Sequence, residues 1–132
     1  MTLESTYPVL MTNDVAAAAA FWVDTFGFEQ TFAADWYVSL RRDRWELAVV
    51  DADHPTVPAS HRGRPAGGLL VNLEVDDVDA EYARLRDSVD IALPLRSEPF
   101  GQRHFVVAGP DGVIVDVITP IPPEAEYVAS FV

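Results

Sequence analysis

The same order of elements is written twice along this 132-residue chain, and that repetition restricts the fold more than any other feature. Residues 5–12 form a short apolar stretch that places Tyr7, Val9 and Met11 on one face of a strand, with Pro8 marking an edge or a beginning. Asn13 and Asp14 offer N-caps to a helix from Val15 to Phe26, which Gly27 closes. Val15, Ala19, Trp22 and Phe26 fall on one apolar stripe of that helix, with Trp22 and Phe26 as core anchors. From Phe28 the period changes to two, giving strands near 28–33, 36–41 and 45–50 with Arg42-Asp43-Arg44 as a polar turn. After residue 67 the series restarts with a strand at 69–75, caps at Asp76 and Asp77, and a helix at 78–88 burying Val78, Tyr82 and Leu85. Strands near 92–98, 103–108 and 113–118 complete it. The expectation is an α+β fold: one domain over 1–132, made of two tandem βαβββ modules at 5–50 and 68–118, a linker at 51–67 and a tail at 119–132.

The last two strands carry the first candidate for chemistry. Between them stands Gly109-Pro110-Asp111-Gly112, a turn sequence in which proline presets φ and glycine supplies a left-handed position. Alternation then puts Val113, Val115 and Val117 on one face and Ile114, Asp116 and Ile118 on the other. A carboxylate in an apolar strand costs several kcal/mol to bury unpaired, so Asp116 requires water, a hydrogen-bond donor or a cation beside it. Glu46 interrupts an apolar strand in the same way, on the face it shares with Ala48 and Val50.

Nine basic residues stand against 21 acidic ones, a formal net charge of −12. A field of that sign repels phosphate backbones and anionic membrane surfaces and concentrates cationic small molecules, so neither nucleic acid nor membrane is expected as a partner. An acidic surface also serves solubility alone. The absence of cysteine excludes disulfides, thiolate ligands and a cysteine nucleophile. The first residues lack the basic end and apolar core of a signal peptide, and a soluble cytoplasmic protein is the expectation. Residues 51–67 hold three prolines and two histidines without periodicity and read as a linker or lid, with His54 and His61 as solvated loop histidines. The tail is too apolar at Tyr127, Val128, Phe131 and Val132 for a free end and is expected to dock on its own or a partner subunit's surface.

The doubled βαβββ pattern, the Asp14 to Phe28 segment, and Pro99-Phe100-Gly101-Gln102-Arg103-His104-Phe105 followed by Pro110-Asp111-Gly112 together resemble the vicinal-oxygen-chelate superfamily of glyoxalases, extradiol dioxygenases and bleomycin resistance proteins. Tyr7-Pro8-Val9-Leu10, Phe21-Trp22 and Pro99-Phe100-Gly101 bring the chain nearest to the bleomycin resistance proteins. The resemblance implies curved mixed sheets around a concave cleft, helices on the convex side, and a homodimer. It matches the metal-ligand positions of the superfamily's enzymes to Tyr7, Glu46, Leu70 and Asp116. Leucine coordinates nothing and a neutral tyrosine is a poor ligand for a divalent ion. No cofactor is expected on this reading; if a divalent metal binds, Glu46 and Asp116 are its ligands, with His104 or Asn72 as substitutes for the missing donors.

The resulting set of candidate ligand-binding residues is Tyr7, Phe32, Trp36, Glu46, Leu70, Asn72, Phe100, His104 and Asp116, with Phe32, Trp36 and Phe100 at or near the aromatic positions of the drug groove. Aromatic walls with carboxylates suit a flat, partly cationic ligand. The leading reading is a metal-independent binding protein that sequesters a cationic or aromatic natural product or drug. A metal-dependent glyoxalase- or dioxygenase-type enzyme with Glu46 as base, and a subunit with a vestigial cleft, are the alternatives.

Overall fold

The computed structural model describes residues 1–131. The chain divides into two compact units, Met1–Gly67 with Pro110–Gly112 and Gly68–Gly109 with the residues from Val113 onward. Val132, part of the expected apolar tail, lies outside the described residues.

In the first unit, β1 (Val9–Thr12) leads into α1 (Val15–Phe26), followed by β2 (Glu29–Ala34), β3 (Tyr37–Arg42) and β4 (Trp45–Asp51). The sheet order is β1-β4-β3-β2, with β1 parallel to β4 and the other pairs antiparallel. The five alanines after Val15 have the highest helix propensity of any residue. Asp14 Oδ1 accepts the Ala17 N–H at 3.0 Å to start α1, and Gly27, left-handed at φ 70°, ends it by donating to Val23 O while Phe28 N–H donates to Trp22 O. Val15, Ala18, Ala19, Trp22 and Phe26 bury the helix's apolar face, and Trp22 meets Phe26 and Phe28 ring to ring. Against them lie the alternate strand residues Leu10, Val38, Leu40, Leu47 and Val49, all buried.

The second unit repeats the plan with β5 (Leu70–Glu74), α2 (Val78–Leu85), β6 (Ile91–Glu98), β7 (Gln102–Ala108) and β8 (Ile114–Pro120), in the order β5-β8-β7-β6. Asp77 caps α2 through Ala80 N–H as Asp14 caps α1. Val78 and Leu85 are buried, and Tyr82 packs edge-on against Phe105. The expected α+β architecture of two tandem βαβββ arrangements with curved mixed sheets is what forms.

Several expected boundaries shift, each for a local reason. Residues 5–8 stay outside β1, and only the Pro8 carbonyl reaches the ladder, accepting from Ala48 N–H. Trp36 sits in the turn after β2 instead of starting β3. The α2 helix stops at Leu85, and the next residues close in turns, with Ser88 N–H donating to Leu85 O. In the Gly109–Gly112 turn both Asp111 (φ 60°) and Gly112 (φ 78°) take the left-handed conformation.

Residues 51–67, read as a linker or lid, pack into the first unit. Ala52 and Val57 are buried, Ala52 N–H donates to Thr12 O, and Arg62 donates to the carbonyls of Val57 and Pro55. His54 is correspondingly no free loop histidine: its ring stacks on Trp36 at 3.8 Å and 10°. His61 is exposed, with Nδ1 bonded to Ser60 Oγ. The tail lies on its own chain through Ile121 N–H to Gly101 O and Glu124 N–H to Pro99 O, followed by a short α3 (Ala125–Val128), but of the expected apolar tip Val128 and Phe131 stay exposed.

Two substitutions test this account by denaturant unfolding. Asp14→Ala is expected to lower stability by about 0.5–2 kcal/mol through loss of the cap, and Trp22→Ala by about 3–5 kcal/mol through the cavity it leaves. A Trp22→Ala cost no larger than that of Asp14→Ala would contradict the placing of Trp22 at the centre of the first core.

Candidate functional site

Each sheet has one face against its helix, and the strand-borne candidates all lie on the other. In the first unit the register aligns Val9, Ala48, Ser39 and Phe32 across the four strands, with Tyr37 opposite Val50 in the next row. Tyr7 and Phe32 are 49% and 54% exposed. Phe32 meets Tyr37 edge-on at 6.3 Å, and Trp36 meets Tyr37 at 5.5 Å. Burial, reinforced by the neighbouring Tyr7, raises the Tyr37 pKa above 10.0, so its side chain is a neutral phenol at ordinary pH. Three predicted residues, Tyr7, Phe32 and Trp36, thus gather around Tyr37, which the sequence reading missed. Tyr37 was signalled by sharing the strand period with Ser39 and Arg41.

Glu46 does not join them as a buried carboxylate. It is exposed near the start of β4 and lies opposite Arg41. Nor does the register make it the counterpart of Asp116. Val9 stands six residues before α1 and Asn72 six before α2, and their strand partners are Ala48 and Asp116 respectively. Alanine occupies in the first unit the place that aspartate holds in the second.

In the second unit Asp116 is 6% exposed and finds the donor its burial requires: His104, equally buried, lies with Nδ1 2.7 Å from Asp116 Oδ1. The opposite ring nitrogen, Nε2, is 2.8 Å from Glu98 Oε2, and Arg96 Nε donates to that same oxygen at 2.7 Å. A ring nitrogen bonds a carboxylate only by carrying a proton, so two carboxylates call for the doubly protonated imidazolium. Burial opposes that charge, but the hydrogen bonds to Glu98 and Asp116 outweigh it and raise the His104 pKa above 6.5. Hydrogen bonds from His104 and Arg96 hold Glu98 below its usual range. Asn72 is exposed opposite Asp116, Leu70 is 48% exposed opposite Ile114, and Phe100 stands in the turn after Glu98.

Glu98 and Arg96 were missed in the sequence, although the short turn at 99–101 carried the signal. Counting outward from it pairs Glu98 with Gln102 and Arg96 with His104.

The donors do not fit the metal centre of the superfamily's enzymes. Leu70 has no ligand atom, Tyr7 is a phenol, Glu46 is exposed beside Arg41 in register, and one Asp116 oxygen is committed to His104. Of the two substitutes proposed from the sequence, His104 has both ring nitrogens engaged by carboxylates and offers no free lone pair, and Asn72, exposed opposite Asp116, supplies one neutral amide oxygen. Among the described residues no group of three His, Cys, Asp or Glu side chains is arranged to hold a metal ion.

The family profile described as Glyoxalase/Bleomycin resistance protein/Dioxygenase superfamily matches residues 5–117. Among solved structures, the bleomycin-binding protein of bleomycin-producing Streptomyces verticillus, complexed with copper(II)-bleomycin, is 28% identical, with 90% of this chain and 98% of that chain covered at a TM-score of 0.67. A lactoylglutathione lyase from Agrobacterium tumefaciens is 22% identical over 90% and 96% of the two chains (TM-score 0.71). A glyoxalase/bleomycin resistance protein/dioxygenase from Nocardioides is 21% identical over 92% and 86% (TM-score 0.75). At these lower identities the likeness is one of fold. No curated protein sequence matches the chain.

The charge chain makes stability depend on pH in a defined sense. With its folded pKa raised, His104 binds more protons folded than unfolded, so its contribution is complete below about 6.5 and is lost as pH rises through the folded value. Glu98, lowered from 4.5, contributes above that value and loses its contribution as pH falls. Unfolding free energy is therefore expected to decline on the alkaline side of 6.5, and His104→Gln to flatten that limb. His104→Ala, which strands Asp116, is expected to cost about 3–5 kcal/mol near neutrality. An alkaline limb identical in the wild type and His104→Gln would refute the imidazolium assignment.

Proposed function

We infer that this chain, which belongs to the Glyoxalase/Bleomycin resistance protein/Dioxygenase superfamily, binds and sequesters a flat, cationic aromatic small molecule without a metal of its own and without turning it over. The observation that carries the reading is the aromatic cluster on the face of the first sheet turned away from α1, where Tyr7 and Phe32 remain about half exposed around Tyr37 and beside Trp36. Exposed aromatic groups gathered on a sheet face present area for stacking and no chemistry of their own. The net charge of −12 attracts a cation toward that face from a distance.

The relative from Streptomyces verticillus supports the same choice, since it holds copper(II)-bleomycin and is similar over nearly all of both chains. Sequestration requires only affinity, so the lack of fitting metal donors in this chain is no handicap to it. The metal-dependent alternative would need a ligand where Leu70 stands. The reading also has the protein acting in the cytoplasm as a homodimer that protects its host from a toxic compound; sedimentation at micromolar concentration tests the assembly.

Copper(II)-bleomycin is the first probe, titrated calorimetrically. Stoichiometric binding is expected, with Phe32→Ala and Trp36→Ala each losing stacking worth about 0.5–1.5 kcal/mol, roughly 2- to 10-fold in affinity. Affinity is also expected to fall as salt screens the acidic field. No binding of this probe or of other cationic aromatic drugs would reject the reading, as would chemical conversion of the compound.

A further inference from the structure

The chain of charged groups that starts at buried Asp116 and His104 ends in a turn, and the C-terminal segment rests on that turn. Glu98 is the last residue of β6 and receives both His104 Nε2 and Arg96 Nε. Gly101 N–H closes the turn on Glu98 O at 3.1 Å. The C-terminal segment is then laid against it: Ile121 N–H donates to Gly101 O at 2.9 Å, Glu124 N–H donates to Pro99 O at 2.8 Å, and the Tyr127 ring meets Phe100 edge-on at 6.2 Å. Gly101 has φ 109°, and a Cβ there would stand 3.1 Å from Ile121 O, so only glycine allows this approach. Phe100 remains 41% exposed at the tip.

A carboxylate and an imidazolium are an expensive way to fill the middle of this sheet. Asp116 lies beside Val106 and between Val115 and Val117, where an apolar side chain would pack without desolvating a charge. What an apolar filler could not do is reach the turn. We propose that His104 is a positioning residue: by bridging Asp116 in the sheet to Glu98, it holds the Pro99–Gly101 turn, the Phe100 ring and the docked C-terminal segment in one arrangement.

Amide hydrogen exchange on the ligand-free protein compares wild type with Glu98→Ala, which changes the outer end of the chain of contacts, and with His104→Gln. The amides of Gly101, Ile121 and Glu124 are expected to exchange about tenfold faster or more in both variants, and by a larger factor than those of Phe105, Val107 and Val117, which change only as far as each variant lowers global stability. Unchanged exchange at the three turn amides in Glu98→Ala, or an equal acceleration throughout the sheet, would overturn the proposal.

Discussion

One helix accompanies each four-stranded sheet, and a helix covers one face of a sheet. That limit governs where every kind of residue stands. On the covered faces the core is continuous and apolar, with Trp22 and Phe26 against Leu40, Leu47 and Val49 in one unit and Val78 and Leu85 against the β7–β8 strands in the other. The opposite faces carry what a core does not readily accept: phenols, a carboxylate and an imidazole. Since side chains alternate along a strand, the same segments that build the cores also present Tyr7, Phe32, Asn72, His104 and Asp116.

The two units use this second face differently. In the first it is an aromatic surface with Arg41 and Glu46 paired at one end, and Ala48 occupies the register position of Asp116. In the second, three short hydrogen bonds link Asp116, His104, Glu98 and Arg96. The duplicated plan therefore preserves caps, helix placement and strand order, while the chemistry of the faces has diverged. Capping and sheet pairing depend on the backbone and a few small polar side chains, whereas the exposed face is free to vary.

A superfamily whose enzymes carry metal centres on this scaffold and a chain whose described residues at the matched positions do not supply those donors are reconciled by separating scaffold from site. The fold supplies a face; the residues on it decide whether that face holds an ion, stacks a ring or positions a turn. Leu70 and the commitment of His104 to two carboxylates remove donors, while Phe32, Trp36 and Tyr37 supply rings.

The doubled βαβββ plan, both helix caps, the Trp22 core and the candidates that share a sheet face were all legible in the amino-acid sequence, because they rest on local periodicity and on side chains that bond within a few residues of themselves. The need of Asp116 for a partner was legible too. Which partner it takes was settled only by the fold: His104 is brought to Asp116 by the pairing of β7 with β8, and Glu98 to His104 by the pairing of β6 with β7. The same holds for His54, whose stacking on Trp36 joins a loop without periodicity to a turn. It holds for Glu46 as well, which the local pattern made a carboxylate interrupting an apolar strand and the sheet leaves exposed near the start of that strand. Contacts between strands depend on register, and register is set by turn lengths and bulges acting together across the sheet, information that no single stretch of the chain contains.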